Sequence, residues 1–342
     1  MRLHVVNVGT MPGKGPLKHL RLFSVSLLIL LLCNQVRSQD PAEVIRIESD
    51  LVDLKVSVLG RTTSVATPML EQKDFTIFED GKPQEISFFA SAETPFDLVL
   101  LLDLSGSNSK KLKMIRNSAK RFVDAARDVD RISLVAFTDQ IFIYSSFSLD
   151  RPRLKKAIDQ MDEATGGTNF WDSLDYVQRI LLNRTTTSRR SAIVVMTDGV
   201  DNALPDVRGP GSLITFEELL TRVRTSDSIV FPIYLDTEAE NVKDRSVPRE
   251  AYSLAREQLG QIASACGTTL YKAAKLSDLD QLYARVISDL STIYSISYRP
   301  SNKALDGKWR NVTVQLPNRP DLLARTKKGY FAKQPSVASQ PE

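Results

Sequence analysis

Between Asp103 and Ser107 the chain sets a carboxylate and two hydroxyls at alternate positions, Asp103-x-Ser105-x-Ser107, with Gly106 letting the backbone turn between the serines. Oxygen-only donors of this kind suit a hard cation such as Mg2+. Two later stretches carry the same chemistry: Thr168, preceded by Gly166-Gly167, and Thr197-Asp198-Gly199. Taken alone, the Asp103 stretch is equally well explained by a strand end followed by Ser107 or Ser109 capping a helix.

The surrounding elements decide whether these residues can meet. The run Leu98 to Leu102 is too short for a free-standing helix and reads as a strand buried on both faces, as in a parallel sheet. In open α/β sheets ligands sit beyond the carboxyl ends of the strands, where strand order reverses, and that is where Asp103 falls. Leu112, Ile115, Ala119, Phe122, Val123 and Ala126 then recur at helical spacing, and Arg131 to Phe137 is a second apolar strand. Ile141 to Phe147 follows too soon for a crossover and is expected as an antiparallel edge. Asp150 is expected to cap a helix running to Met161, with Pro152 in its first turn. A helix bearing Trp171, Leu174 and Val177 leads to the strand Ala192 to Met196; strands at 228–236 and 268–273 flank a helix at 250–266, and a last helix covers 276–290. This alternation predicts an α/β fold with a doubly wound, mostly parallel central sheet. Pro232 removes a ladder donor, so a bulge or a place where that donor is not needed is expected. Asp103 and Asp198 are expected in loops at the sheet's rim, outside the apolar core.

Both flanks read as β. Val52, Leu54, Val56 and Val58 alternate with polar residues, and Phe75 to Phe78 and Ile86 to Phe89 flank Asp80-Gly81 as the two arms of a hairpin. After the last helix come Tyr294 to Tyr298, Trp309 to Leu316 and Leu322 to Phe331. Neither flank alone has enough strands to bury its apolar face, so the two are expected to form one small accessory β module. The expected division is therefore a segment 44–94, an α/β domain at 96–292, a segment 293–331 packing with the first, and a polar, disordered tail at 332–342.

Residues 1–38 have the form of a secretory signal: Arg2, Lys14, Lys18 and Arg21, then an apolar stretch from Leu22 to Cys33, then Val36-Arg37-Ser38. The apolar stretch is short of the roughly 20 residues a bilayer span needs, so a membrane role requires that the segment be retained or Cys33 lipidated. Removing it takes five of the 45 basic residues and none of the 41 acidic ones, leaving 40 against 41. A near-neutral chain gives no electrostatic case for nucleic acid. Both histidines, His4 and His19, go with the segment, so no Ser/His or Cys/His pair is available to the remainder. Cys266 is then the only cysteine, and it is expected to be buried.

The three oxygen-bearing stretches together resemble the von Willebrand factor type A domain, whose metal-ion-dependent adhesion site combines an Asp-x-Ser-x-Ser loop, a Thr from a second loop and an Asp from a third. All five positions occur in order as Asp103, Ser105, Ser107, Thr168 and Asp198. The resemblance implies that Ser105, Ser107 and Thr168 supply hydroxyl ligands to Mg2+ (or Mn2+/Ca2+), with Asp103 and Asp198 acting largely through waters or hydrogen bonds. It extends over roughly residues 44 to 331 to a secreted bacterial group of such proteins, through Phe75-x-Ile77-x-Glu79-Asp80-Gly81-Lys82-Pro83-Gln84, Tyr294 to Pro300 and Lys328-Gly329-Tyr330-Phe331. One departure is the charged stretch Asn108-Ser109-Lys110-Lys111, where the family often has a neutral residue; on an amphipathic helix both lysines are expected to be solvated.

These readings imply a secreted or periplasmic module that engages an acidic group of a protein partner through a divalent cation. The alternatives are a structural subunit of an envelope complex that the metal only stiffens and, with no nucleophile–base pair in the three stretches, less readily a metal-dependent hydrolase.

Overall fold

The computed structural model describes residues 51–61, 69–106, 109–162, 166–182, 189–238 and 247–334. The expected signal segment 1–38 with Cys33, the Ser107 position and the tail beyond residue 334 lie outside them. In chain order the first half forms β1 (Val52–Gly60), β2 (Thr76–Glu79), β3 (Lys82–Gln84), β4 (Ile86–Ala90), β5 (Phe96–Asp103), α1 (Ser109–Ala125), β6 (Arg131–Phe137), β7 (Ile141–Ser148), α2 (Arg151–Asp159) and α3 (Phe170–Leu182). The second half forms β8 (Arg190–Thr197), α4 (Phe216–Thr225), β9 (Ile229–Leu235), α5 (Arg249–Cys266), β10 (Tyr271–Ala273), α6 (Leu279–Leu290), β11 (Ile293–Tyr298), β12 (Trp309–Gln315), β13 (Leu322–Arg325) and β14 (Gly329–Phe331).

The central sheet has the order β10-β9-β8-β5-β6-β7 and is parallel except for the edge strand β7, which runs antiparallel to β6. Alternation along β5 assigns its residues to two cores. Leu98, Leu100 and Leu102 pack with Ile115 and Phe122 of α1 and Tyr283 of α6, while Val99 and Leu101 pack with Phe170 and Leu174 of α3 and Leu259 of α5. The chain winds outward from β5 through β6 to β7, then returns to β8 on the other side of β5 and winds the opposite way. The carboxyl end of β5 is therefore the point where strand order reverses.

Pro232 stands in β9 without a register shift against β8, so no bulge forms. β10 begins opposite Ile233, one residue later, and no strand stands beside the proline on that side. Helix α4 was not expected from the apolar pattern. Thr215 caps it, accepting from the Glu218 amide while the Glu218 carboxylate takes the Thr215 amide, a reciprocal box that starts the helix locally.

The flanking strands form two antiparallel sheets of four strands, β13-β1-β11-β4 and β14-β12-β2-β3, each built from strands that precede and strands that follow the α/β region. Their shared core contains Leu54, Val56, Phe75, Ile77, Tyr294, Ile296, Tyr298 and Val312. The hairpin turn falls at Asp80-Gly81, with φ of 47° and 78°, the doubly left-handed form that suits a two-residue loop. Its second arm is β3, not Ile86 to Phe89 as the sequence pattern predicts. After Glu85 the chain crosses to the other sheet, where β4 pairs with β11. There the Phe89 and Tyr294 rings lie 5.6 Å and 5.0 Å from the ring of Phe75, which leads into β2, contacts that tie the two sheets together.

Arg190 joins this region to the central sheet. It is buried, its guanidinium donates to the carbonyls of Ala92, Thr94 and Ile293, and it stacks 4.0 Å from the Phe96 ring. Those carbonyls lie where the chain passes into β5 and out of α6. Burial pushes its pKa down to about 9.

Candidate metal centre

Asp103 ends β5 and is buried, so it belongs to the sheet and not to a rim loop as expected from sequence. A carboxylate survives there because each of its oxygens is met. Oδ1 accepts from the Ser105 amide at 2.9 Å and the Ser105 hydroxyl at 2.5 Å, and Oδ2 accepts from the Thr197 hydroxyl at 2.6 Å. The parallel register sets this up: Leu102 faces Met196, so the next residues, Asp103 and Thr197, are neighbours at the strand ends. The Thr197 hydroxyl in turn accepts from the Gly199 amide at 2.8 Å, which curls the following loop over the end of β8.

Asp198, half-buried, is the next residue. Its Oδ1 accepts from the Val200 amide at 3.1 Å and its Oδ2 from the Thr237 hydroxyl, just past β9, at 2.6 Å. Thr168 reaches the same edge by another route. Asn169 donates its amide to the Thr138 carbonyl at the end of β6, at 2.9 Å, while the Thr168 carbonyl accepts from the Asn202 amide at 2.9 Å. The Asn202 side chain completes the exchange by accepting from the Thr168 amide at 3.1 Å. Asp103, Ser105 and Asp198 thus stand at the carboxyl ends of β5 and β8, while Asn202 draws the Thr168 backbone to the loop after β8 and Thr138 draws that of Asn169 to the end of β6.

Sequence reasoning missed the residues that do this drawing together. Thr237 and Asn202 are among them, and so is Asp201, which is fully buried. Asp201 accepts from the amides of Trp171, Ala203 and Ser212 and from the Ser212 hydroxyl, fixing the start of α3 against the loop before α4. The Asp-Asn pair at 201–202, so soon after Asp198, was the available signal.

Burial raises the Asp103 pKa from 3.8 to about 6, and the negative charge of Asp198 adds to the effect. The hydrogen bonds from Ser105 and Thr197 and the positive charge of Lys111 act the other way. Lys111 is half-buried, and its positive charge acts on Asp103 while part of it remains in solvent.

Two carboxylates that repel each other, beside hydroxyls whose protons are already donated inward, form a donor set that suits a hard divalent cation. The Ser105 proton goes to Asp103, leaving that hydroxyl's lone pairs to face outward. Among the described residues no group of three or more His, Cys, Asp or Glu is placed to hold a metal, so any ion here depends on hydroxyls. No helix among the described residues is long and apolar enough to cross a membrane.

Comparison with solved structures returns chains at low sequence identity. BatB from Bacteroides thetaiotaomicron aligns at 16% identity with a TM-score of 0.44, over 57% of this chain and 98% of that one. Proximal thread matrix protein 1 from the mussel byssus, in a form with a zinc-occupied MIDAS motif, aligns at 16% identity and a TM-score of 0.45 over 61% of this chain and 49% of that one. The von Willebrand factor domain of the type V pili tip protein Mfa5 from Porphyromonas gingivalis aligns at 14% identity and 0.42, over 57% and 94%. No curated protein matches the sequence significantly. The sequence profile of the von Willebrand factor type A domain matches residues 97–285, the stretch from the second residue of β5 into α6 and more than half of the 342-residue chain. The chain therefore belongs to the von Willebrand factor type A domain family.

Proposed function

We propose that Asp103, Ser105, Ser107, Thr168 and Asp198 hold a divalent cation, Mg2+ or alternatively Mn2+ or Ca2+, and that the site engages an acidic side chain of a protein partner outside the cytoplasm. The observation that carries this is the juxtaposition of the mutually repelling carboxylates of buried Asp103 and Asp198 at the reversal point of the sheet, each held by hydroxyls. When bound, the ion supplies positive charge and an exchangeable coordination position for an incoming carboxylate.

The residues themselves do the rest. Ser105 and Thr197 hold Asp103 ionised against the cost of its burial, and Thr237 fixes Asp198. With neutral hydroxyls as the nearest donors and no full protein cage, cation affinity without a partner is modest. The proposed role is binding and not catalysis: among the described residues no histidine stands beside Ser105 or Thr168, and their hydroxyls would serve as ligands to the ion. A leader at residues 1–38 would carry the module to the periplasm or beyond.

The test is affinity capture of partners in Mg2+ and in EDTA, with the wild-type chain and with Asp198→Ala. The proposal expects partners retained in Mg2+ only, and lost with the variant. Capture that resists EDTA and survives Asp198→Ala would leave a metal-independent scaffold in its place.

A further inference from the structure

Beside the proposed cation site runs an open groove of about 440 Å3, lined by Asp139, Gln140, Ile141 and Ile143 on one side and by Asn169, Asp172, Ser173 and Tyr176 on the other. Its walls follow from the elements. Asn169 immediately precedes α3, on which residues 172, 173 and 176 share one face, and Ile141 and Ile143 are alternate residues on one face of β7. Ile143 is 51% exposed and Tyr176 36%. β7 is also the sheet's edge, and no described strand pairs with its outer side. Its eight residues, Ile-Phe-Ile-Tyr-Ser-Ser-Phe-Ser, contain no charge and no proline, the usual protections of a free edge.

The groove approaches the cation site in the chain at Asn169, which follows Thr168 directly. Its loop rim is fixed: Asp172 accepts from the amides of Leu213 and Ile214. An apolar wall ending in the carboxylates of Asp139 and Asp172 suits a side chain with an aliphatic stem and a cationic head, and the Tyr176 ring adds a surface over which such a cation can lie.

We infer that this groove is the second recognition element of the partner site, and that it takes an arginine or lysine of an extended peptide segment whose acidic residue reaches the cation. This rests on the cation reading above for the acidic residue, while the basic preference rests on the groove alone.

The test is a positional-scanning library of synthetic peptides, each carrying one fixed glutamate, presented to the full chain in Mg2+ and in EDTA. Wild type is expected to enrich Arg or Lys severalfold at one fixed spacing from the glutamate, in Mg2+ only. Asp139→Lys should reverse that preference toward acidic residues, and Ile143→Lys, at an exposed position that folding tolerates, should abolish it. Glutamate-dependent enrichment in Mg2+ without basic selection would overturn the groove and leave the cation reading standing. Basic selection that persists in EDTA and vanishes in Asp139→Lys would sustain the groove and overturn the cation reading, and no enrichment of any kind would overturn both.

Discussion

The Thr197 hydroxyl donates to the Asp103 carboxylate at 2.6 Å across two neighbouring parallel strands, binding the end of β8 to the end of β5. Its geometry predicts that Thr197→Val weakens Mg2+ binding on the order of tenfold, because a hydrogen bond to a charged group contributes about 1.5–3 kcal/mol and each 1.4 kcal/mol is roughly tenfold. Thr197→Ser should retain most of the affinity. Calorimetric titration of both variants checks this, and equal affinities for Val and Ser would show that the hydroxyl is dispensable.

A pH dependence follows from Asp103. Its folded pKa is raised from 3.8 to about 6, so in the metal-free protein its contribution to stability is fully present below about pH 4 and is lost as pH rises through 6. A cation needs the ionised carboxylate, so its affinity falls as pH is lowered through the same range. The rise in melting temperature caused by saturating Mg2+ should therefore be larger at pH 7.5 than at pH 5. A rise independent of pH would remove Asp103 from the site.

The accessory sheets are held together by a buried carboxylate. Glu79 of β2 accepts from the Tyr298 hydroxyl of β11 at 2.7 Å and from the Tyr330 hydroxyl of β14 at 2.8 Å. Tyr298→Phe leaves part of a buried acceptor unmet and should lower stability by about 1–3 kcal/mol in urea unfolding, with no change in Mg2+ affinity. A change in affinity would mean that the accessory sheets bear on the cation site.

Arg190 serves three carbonyls at the junction of the accessory sheets and the central sheet. Arg190→Leu removes a donor from each, leaving Ala92 and Thr94 with Arg127 as their side-chain donor, and should cost about 1–3 kcal/mol. Hydrogen exchange should locate the loss at the amides of residues 92–96 and 293–295. Loss of protection spread evenly over the central sheet would contradict the junction role.

The central sheet was legible because strands buried on both faces are written as unbroken apolar runs, as in Leu98 to Leu102 and Ala192 to Met196. Asp103, Thr168 and Asp198 stand out in the sequence because each sits next to such a run or to a glycine pair, but the rim loop expected for Asp103 was misplaced, since the strand extends to include it. What escaped depends on contacts remote in sequence. Ile86 to Phe89 has the pattern of a hairpin arm, yet it pairs with β11, more than 200 residues away, where the Phe89 ring packs against Phe75 beside the other sheet. Asp201, Asn202 and Thr237 look like ordinary loop residues until the parallel register brings their strand ends together. Helix α4 was announced only by Thr215 and Glu218, a local signal easily passed over in a polar stretch.

The account depends most on the claim that these loops hold a divalent cation. Isothermal titration of Mg2+ into the wild-type chain and into Asp198→Ala tests it directly, with circular dichroism confirming that the variant is folded. The account predicts one site of modest affinity in the wild type, and its loss in the variant. Equal Mg2+ binding by the two folded proteins, or none by the wild type, would contradict it.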